Sequence, residues 1–155
     1  MKLNLGSGGR LPGYINVDIR KEVNPDVVWD LEQTPYPWED CSVDEILMVD
    51  TLEHLSFRKV RDVVKELYRI LKPGGKIFIQ VPDMEAKARD ILEKWMEDWW
   101  SLSFYVYGGQ EYKENTHKSG FTVPSLKKLL EEEGFKVEKI VGGGNIQCWA
   151  VKPQK

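Results

Sequence analysis

Five short apolar runs lie in the first 83 residues, and each leads to a glycine or an aspartate. Residues 2–5 end before Gly6, 14–19 contain Asp18, 26–29 end before Asp30, 45–49 end before Asp50, and 77–81 precede Asp83. Runs of this length and composition read as strands. The near-continuous apolar run at 45–49 suits a strand covered on both faces, and 77–81 suits a second buried one. Residues 56–71 read as a helix, with Phe57, Val60, Val63, Val64, Leu67 and Leu71 on one stripe. Ser56 is placed to cap it and Pro73-Gly74-Gly75 to stop it. A second stripe holds Met84, Ala88, Ile91, Leu92, Trp95 and Trp99. Thr122 can cap a helix carrying Leu126, Leu129 and Leu130, with Gly134 at its end. Residues 136–141 and 146–151 flank Gly142-Gly143-Gly144-Asn145 and read as an antiparallel hairpin. This order is that of an open α/β sheet. Such sheets bind ligands off the carboxyl ends of their strands. That directs attention to residues 5–9, 18–19, 30–31, 49–54 and 82–83.

The 155 residues make one domain, 1–155, long enough to bury its own core. Twenty-two Lys and Arg against 25 Asp and Glu give a net charge of −3, which argues against a surface built for nucleic acid or anionic membrane. No apolar run is long enough to span a membrane, and no signal sequence is visible. Cys41 and Cys148 lie far apart and in no ligand spacing. They argue against a disulfide framework or a zinc site, and for a reducing, cytoplasmic setting.

Gly6-Ser7-Gly8-Gly9 follows the first strand, where glycines let the backbone turn tightly and let a ligand touch it. A dinucleotide fingerprint needs a small residue three positions past the second glycine, and Leu11 stands there. A pyrophosphate is disfavoured, whereas a nucleoside fits. Asp18 can accept hydrogen bonds from both ribose hydroxyls. The Asp30 carboxylate can accept from an adenine amino group while a neighbouring backbone N–H serves a ring nitrogen.

The segments LNLGSGG, NVDI, WDLEQTPYPWEDCSVDEI, MVDTLEHL and ELYRILKPGGKIFIQVPD resemble the class I S-adenosylmethionine-dependent methyltransferases, with support from GFTVPSLKKLLEEEGFKVEKI. The likeness is nearest to the small-molecule branch and to compact members associated with surface-sugar biosynthesis. It implies a Rossmann-like fold: a mostly parallel seven-stranded sheet ending in an antiparallel hairpin. It implies S-adenosyl-L-methionine as donor, S-adenosyl-L-homocysteine as product, and a small-molecule or glycan-precursor acceptor. Leu5, Gly6, Ser7 and Gly8 would approach the methionine part, Asp18 and Ile19 the ribose, and Asp30 with Leu31 the adenine. Asp50 and Leu52 would line the sulfonium side. Two departures stand out. Residues 10–13 are too few for the usual first crossover helix, and no N-terminal lid precedes the first strand. A lid is then expected from residues 84–122, from a second subunit of a homodimer, or from both.

Asp50-Thr51-Leu52-Glu53-His54 puts Asp50, Glu53 and His54 near one helical turn, and His117 is the second histidine. For a general base the order of preference is His117, then His54 and Asp50. Asp50, Glu53, His54 and His117 are also candidate ligands for a divalent metal. The motif is similar to the Glu-x-x-Glu-His motif of small-RNA 3′-end 2′-O-methyltransferases, which implies a metal-assisted RNA 2′-O-methyltransferase as an alternative. The acidic residues also suit a helix N-terminus electrostatically, so a metal is not the favoured reading. A non-catalytic, methyltransferase-like binding module is a further alternative. Trp95, Trp99, Trp100, Phe104, Tyr105, Tyr107 and Tyr112 read either as core or as a substrate pocket in an irregular stretch over 101–120.

Overall fold

A computed structural model describes residues 1–94 and 98–154. Seven strands form one sheet: β1 (Lys2–Leu5), β2 (Ile15–Asp18), β3 (Val27–Val28), β4 (Val43–Val49), β5 (Leu71–Pro82), β6 (Lys136–Val141) and β7 (Asn145–Val151). The order is β3-β2-β1-β4-β5-β7-β6. The first five strands run parallel, and β7 is antiparallel to both β5 and β6. This is the Rossmann-like sheet with a closing hairpin that the sequence suggests. Strand order reverses at β1 and β4, and their carboxyl ends lie side by side there.

The described residues include four α-helices: α1 (Val60–Ile70), α2 (Met84–Lys94), α3 (Trp99–Tyr107) and α4 (Val123–Glu132). The predicted stripe of α1 is buried through Val60, Val63, Val64 and Leu67, while Phe57 stands exposed ahead of the helix. α4 starts on a capping box between Thr122 and Ser125 and buries Leu126 and Leu130. Trp95 of the predicted second stripe lies outside the described residues.

Three expectations need correction. Strand β5 begins at Leu71, directly after α1, so Pro73-Gly74-Gly75 lies within the strand. Val43 pairs with Leu71 and Glu45 with Lys76, so the Lys-Pro-Gly-Gly segment is looped out opposite Asp44. The stretch after residue 98 is helical to Tyr107. Asp98 accepts from the backbone N–H groups of Trp100 and Ser101, and Gly108 ends the helix. The third concerns burial. One sheet face holds Leu3, Ile46, Met48, Ile77, Ile79 and Cys148 in a single core with the apolar faces of α1 and α4. The opposite face carries Leu47, Val49, Phe78 and Trp149, which are half-exposed or exposed. β4 and β5 are therefore covered on one face, not both.

The reason lies in the connections. Right-handed crossovers place helices on opposite faces on the two sides of the switch point. Residues 6–14, between β1 and β2, contain no helix, and the β2–β3 link holds only a 3-10 turn, Lys21–Val23. The face those crossovers would cover stays open.

Candidate functional site

A half-enclosed cavity of about 430 Å³ lies off the carboxyl ends of β1, β2 and β4, within the range of small-ligand sites. Gly6, Ser7, Gly8, Asp18, Ile19, Asp30, Leu31, Asp50 and His54 all line it. Leu5 and Leu52 do not: both side chains are fully buried in the core beneath the strand tips. The walls also include Tyr112, one of the aromatic residues read as core or substrate pocket, Thr51, which lies between Asp50 and Leu52, and Arg20, Trp29 and Lys118, which had no expected ligand role. Arg20 and Trp29 abut the predicted strand ends, and that was their only signal.

The glycines have different duties. Gly6 (φ +69°) has no room for a side chain, because a Cβ there would lie 2.3 Å from both Cγ2 and Oγ1 of Thr51. Thr51 is buried, and its single hydroxyl proton lies among three carbonyl acceptors, Val49 O at 3.0 Å, Leu5 O at 3.2 Å and Gly6 O at 3.3 Å, which brings the tips of β1 and β4 together. Gly8 (φ +58°) faces open space, with nothing within 4 Å of a built Cβ. Ser7 Oγ is buried without a partner among the described residues. An orphaned hydroxyl beside an open glycine is a fitting contact for a polar ligand such as the methionine end of S-adenosylmethionine.

Asp18 is buried at the end of β2. Its Oδ2 accepts from Gly8 N at 2.9 Å, and its Oδ1 accepts from Arg20 N at 2.9 Å. A carboxylate has about four acceptor directions, so capacity remains for ribose hydroxyls. Asp30 is exposed and its Oδ1 accepts from Glu32 N, closing a turn at the rim. Across the mouth, the Arg20 guanidinium stacks 4.0 Å from the Tyr112 ring centroid. This contact ties the end of β2 to the segment after α3. Tyr112, Lys113, Glu114 and Lys118 of that segment form a wall.

The Asp-x-x-Glu-His motif folds as a 3-10 turn, Leu52–His54, not as an α-helical turn. Asp50 precedes it in a left-handed conformation (φ +51°) and accepts from Gln80 Nε2. Of the four candidate metal ligands, Glu53, His54 and His117 come together, with one donor atom of each within 4.8 Å of the others. Asp50 is not in that group. His117 arrives because the segment after α3 is stitched to the turn. Lys118 N and Ser119 N both donate to Glu53 O, at 2.7 and 3.0 Å, and Ser119 Oγ donates to Leu55 O. Of the three candidate bases, Asp50 and His54 reach the cavity wall, and His117 stands behind His54 with ring centroids 5.0 Å apart.

Burial sets the electrostatics here. Glu53 is 2 % exposed, and burial pushes its carboxyl up to about 8, with Asp50 adding to the rise. Burial lowers the His54 and His117 imidazoles, and each ring's lost solvation outweighs its carbonyl partner. Lys87 is also buried, and its ammonium donates to the Tyr105 carbonyl.

The methyltransferase-domain family matches residues 9–140. A protein of Encephalitozoon cuniculi that carries a methyltransferase name is 33% identical over 113 residues, covering 64% of this chain and 53% of that one. The tRNA N(3)-cytidine methyltransferase of Gallus gallus is 27% identical over 117 residues, covering 71% of this chain and 28% of that protein. The chain spans about half the length of the first relative and less than a third of the second. The solved structure of a SAM-dependent methyltransferase from Methanosarcina mazei superposes with a TM-score of 0.68 at 17% identity, covering 99% of this chain and 92% of that one. No helix among the described residues is long and apolar enough to cross a membrane. By the extent of the family match, and with a sheet order and fold to go with it, the chain belongs to the methyltransferase-domain family.

Proposed function

We propose that the chain binds S-adenosylmethionine in the strand-end cavity and directs its methyl group to a small-molecule or glycan-precursor acceptor. The observation that carries this reading is the composition of the cavity wall. Five carboxylates (Asp18, Asp30, Glu32, Asp50 and Glu114) face three cations (Arg20, Lys113 and Lys118). That balance suits a cationic donor and disfavours the phosphate backbone of a nucleic acid. The donor brings a methyl already activated by its sulfonium. The chain's own tasks are to hold, orient and exclude water. Gly8 and Ser7 receive the methionine end, Asp18 the ribose, and Asp30 with the Leu31 backbone the adenine. Lys118 and His54 border the space left for the acceptor.

A tRNA acceptor is the second reading, supported by the tRNA methyltransferase names of the Gallus gallus, Drosophila melanogaster and Mus musculus relatives. Two measurements separate the readings. Calorimetry with S-adenosylhomocysteine is expected to show one site, weakened about tenfold to a hundredfold in Asp18→Ala, as the loss of one or two hydrogen bonds to a charged group requires. No heat at millimolar ligand defeats the donor assignment. Labelled methyl transfer to hydroxylated glycan precursors, with tRNA in parallel, tests the acceptor. Transfer to tRNA alone defeats the small-molecule half.

A further inference from the structure

We propose that Glu53, His54 and His117 form a site for one divalent transition cation of the zinc class, distinct from the nucleoside-gripping positions. Neither the fold nor methyl transfer requires it. Three observations converge.

The first is tautomer control. His54 Nδ1 lies 3.1 Å from Thr116 O, and His117 Nδ1 lies 3.2 Å from Val106 O. A carbonyl can only accept, so each Nδ1 carries the proton and each Nε2 keeps its lone pair. A ring that donates its other N–H to a backbone carbonyl is the arrangement found in imidazole ligands.

The second is a deeply buried acid with one orphaned oxygen, which feels the Lys87 charge but accepts no hydrogen bond from it. Glu53 Oε1 lies 3.5 Å from His54 Nε2, and Oε2 is buried without a partner among the described residues. A carboxylate so deeply buried is costly unless a cation or donor meets it. The nearby Lys87 ammonium is turned to the Tyr105 carbonyl.

The third is how the cluster is built. Backbone bonds from Lys118 and Ser119 to Glu53 O, and the His54 ring on Thr116 O, fix both halves of the cluster against each other. Main-chain bonds thus hold together the segments that carry the donors, and a backbone carbonyl holds each imidazole.

The donor set selects the metal. Two imidazoles and one carboxylate suit Zn²⁺, Co²⁺ or Mn²⁺, whereas Mg²⁺ and Ca²⁺ prefer sets of oxygens. Asp50, engaged by Gln80, supplies no second carboxylate to the cluster. Three protein ligands leave a fourth position open. His54 belongs to the cavity wall, so, on the proposed reading of that cavity, a cation held here would stand near the acceptor and would make a water or hydroxyl bound to it more acidic.

The test uses the full chain, stripped with a chelator and carrying Cys41→Ser to remove the exposed thiol as a competing ligand. Co²⁺ is titrated in and its visible d–d absorption recorded. The expected result is one Co²⁺ per chain, displaced by one equivalent of Zn²⁺ and unmoved by a large excess of Mg²⁺. Glu53→Gln and His117→Asn should each weaken binding at least about tenfold. Circular dichroism checks that they fold, and if Glu53→Gln does not, His117→Asn decides. No Co²⁺ spectrum, binding unchanged by the variants, or displacement by Mg²⁺ would overturn the proposal. S-adenosylhomocysteine binding is measured separately in the same samples, so failure of the donor site and failure of the cation site are told apart.

Discussion

Gly6 and Gly8 are two residues apart in the same turn, and the structure gives them opposite sensitivities. Gly6→Ala drives a Cβ into Thr51 while holding a left-handed backbone, and is expected to cost about 2 kcal/mol or more in urea unfolding. Gly8→Ala meets open space, so it should cost only the strain of its positive φ, about 1 kcal/mol. Its larger effect should be on S-adenosylhomocysteine affinity, because the new methyl occupies the ligand's space. Equal losses of stability in the two variants would contradict this division. The glycines and Asp18 were legible in the sequence because strand-end chemistry restricts residue type. Thr51 was not, since its role depends on where β1 and β4 end relative to each other. The proximity of His54 and His117 was suggested by residue type alone, and the 3-10 turn that leaves Asp50 aside had no sequence signal.

Among the elements, the helix-free link from β1 to β2 was legible simply by counting residues. What holds so short a parallel connection was not. Gly6 N and Ser7 N donate to Val17 O, Leu11 N donates to Asn16 Oδ1, and Arg10 pairs with Asp26. Tyr14, at the end of the link, donates its hydroxyl to Glu45 of β4. That bond raises the Tyr14 phenol from about 10 to about 12. A raised folded-state value means the contribution is complete below pH 10 and is lost as pH rises through 12. The urea midpoint of the wild type should therefore fall over that window more than that of Tyr14→Phe. Tyr105 is raised as well, to about 12, so the difference between the two proteins is the quantity to read. An identical pH profile would remove the bond from the account. Helix α3 escaped notice for a different reason. Beyond Trp99, the end of the second expected stripe, it mixes Ser101 and Ser103 with aromatic residues, and Trp99, Trp100, Phe104 and Tyr107 are exposed, so no stripe marks a buried face. Helix α4 was legible through its cap, and Thr122→Ala should lower stability by about 1 kcal/mol.

For the whole molecule, the mostly parallel sheet and the closing hairpin were legible in the sequence and its resemblance, but the order of the strands and the coverage of the sheet were not. A run such as Ile46-Leu47-Met48-Val49 is apolar on both faces, so it cannot say which face meets helices. The structure assigns Ile46 to the core and Leu47 to the open face. Ile46→Ala should cost about 2–5 kcal/mol and Leu47→Ala less than half of that in equilibrium unfolding. Equal costs would mean that the second face is covered. The one-sided sheet leaves the cavity intact, because Gly8, Asp18, Asp30 and Asp50 line it from the strand tips and not from either face. The most direct measurement of the central claim is therefore a crystal structure with S-adenosylhomocysteine. The account predicts the ribose hydroxyls on Asp18, the adenine beside Asp30 and Leu31, and the amino-acid end against Ser7 and Gly8. Ligand density elsewhere, or a ribose that leaves Asp18 untouched, would contradict it.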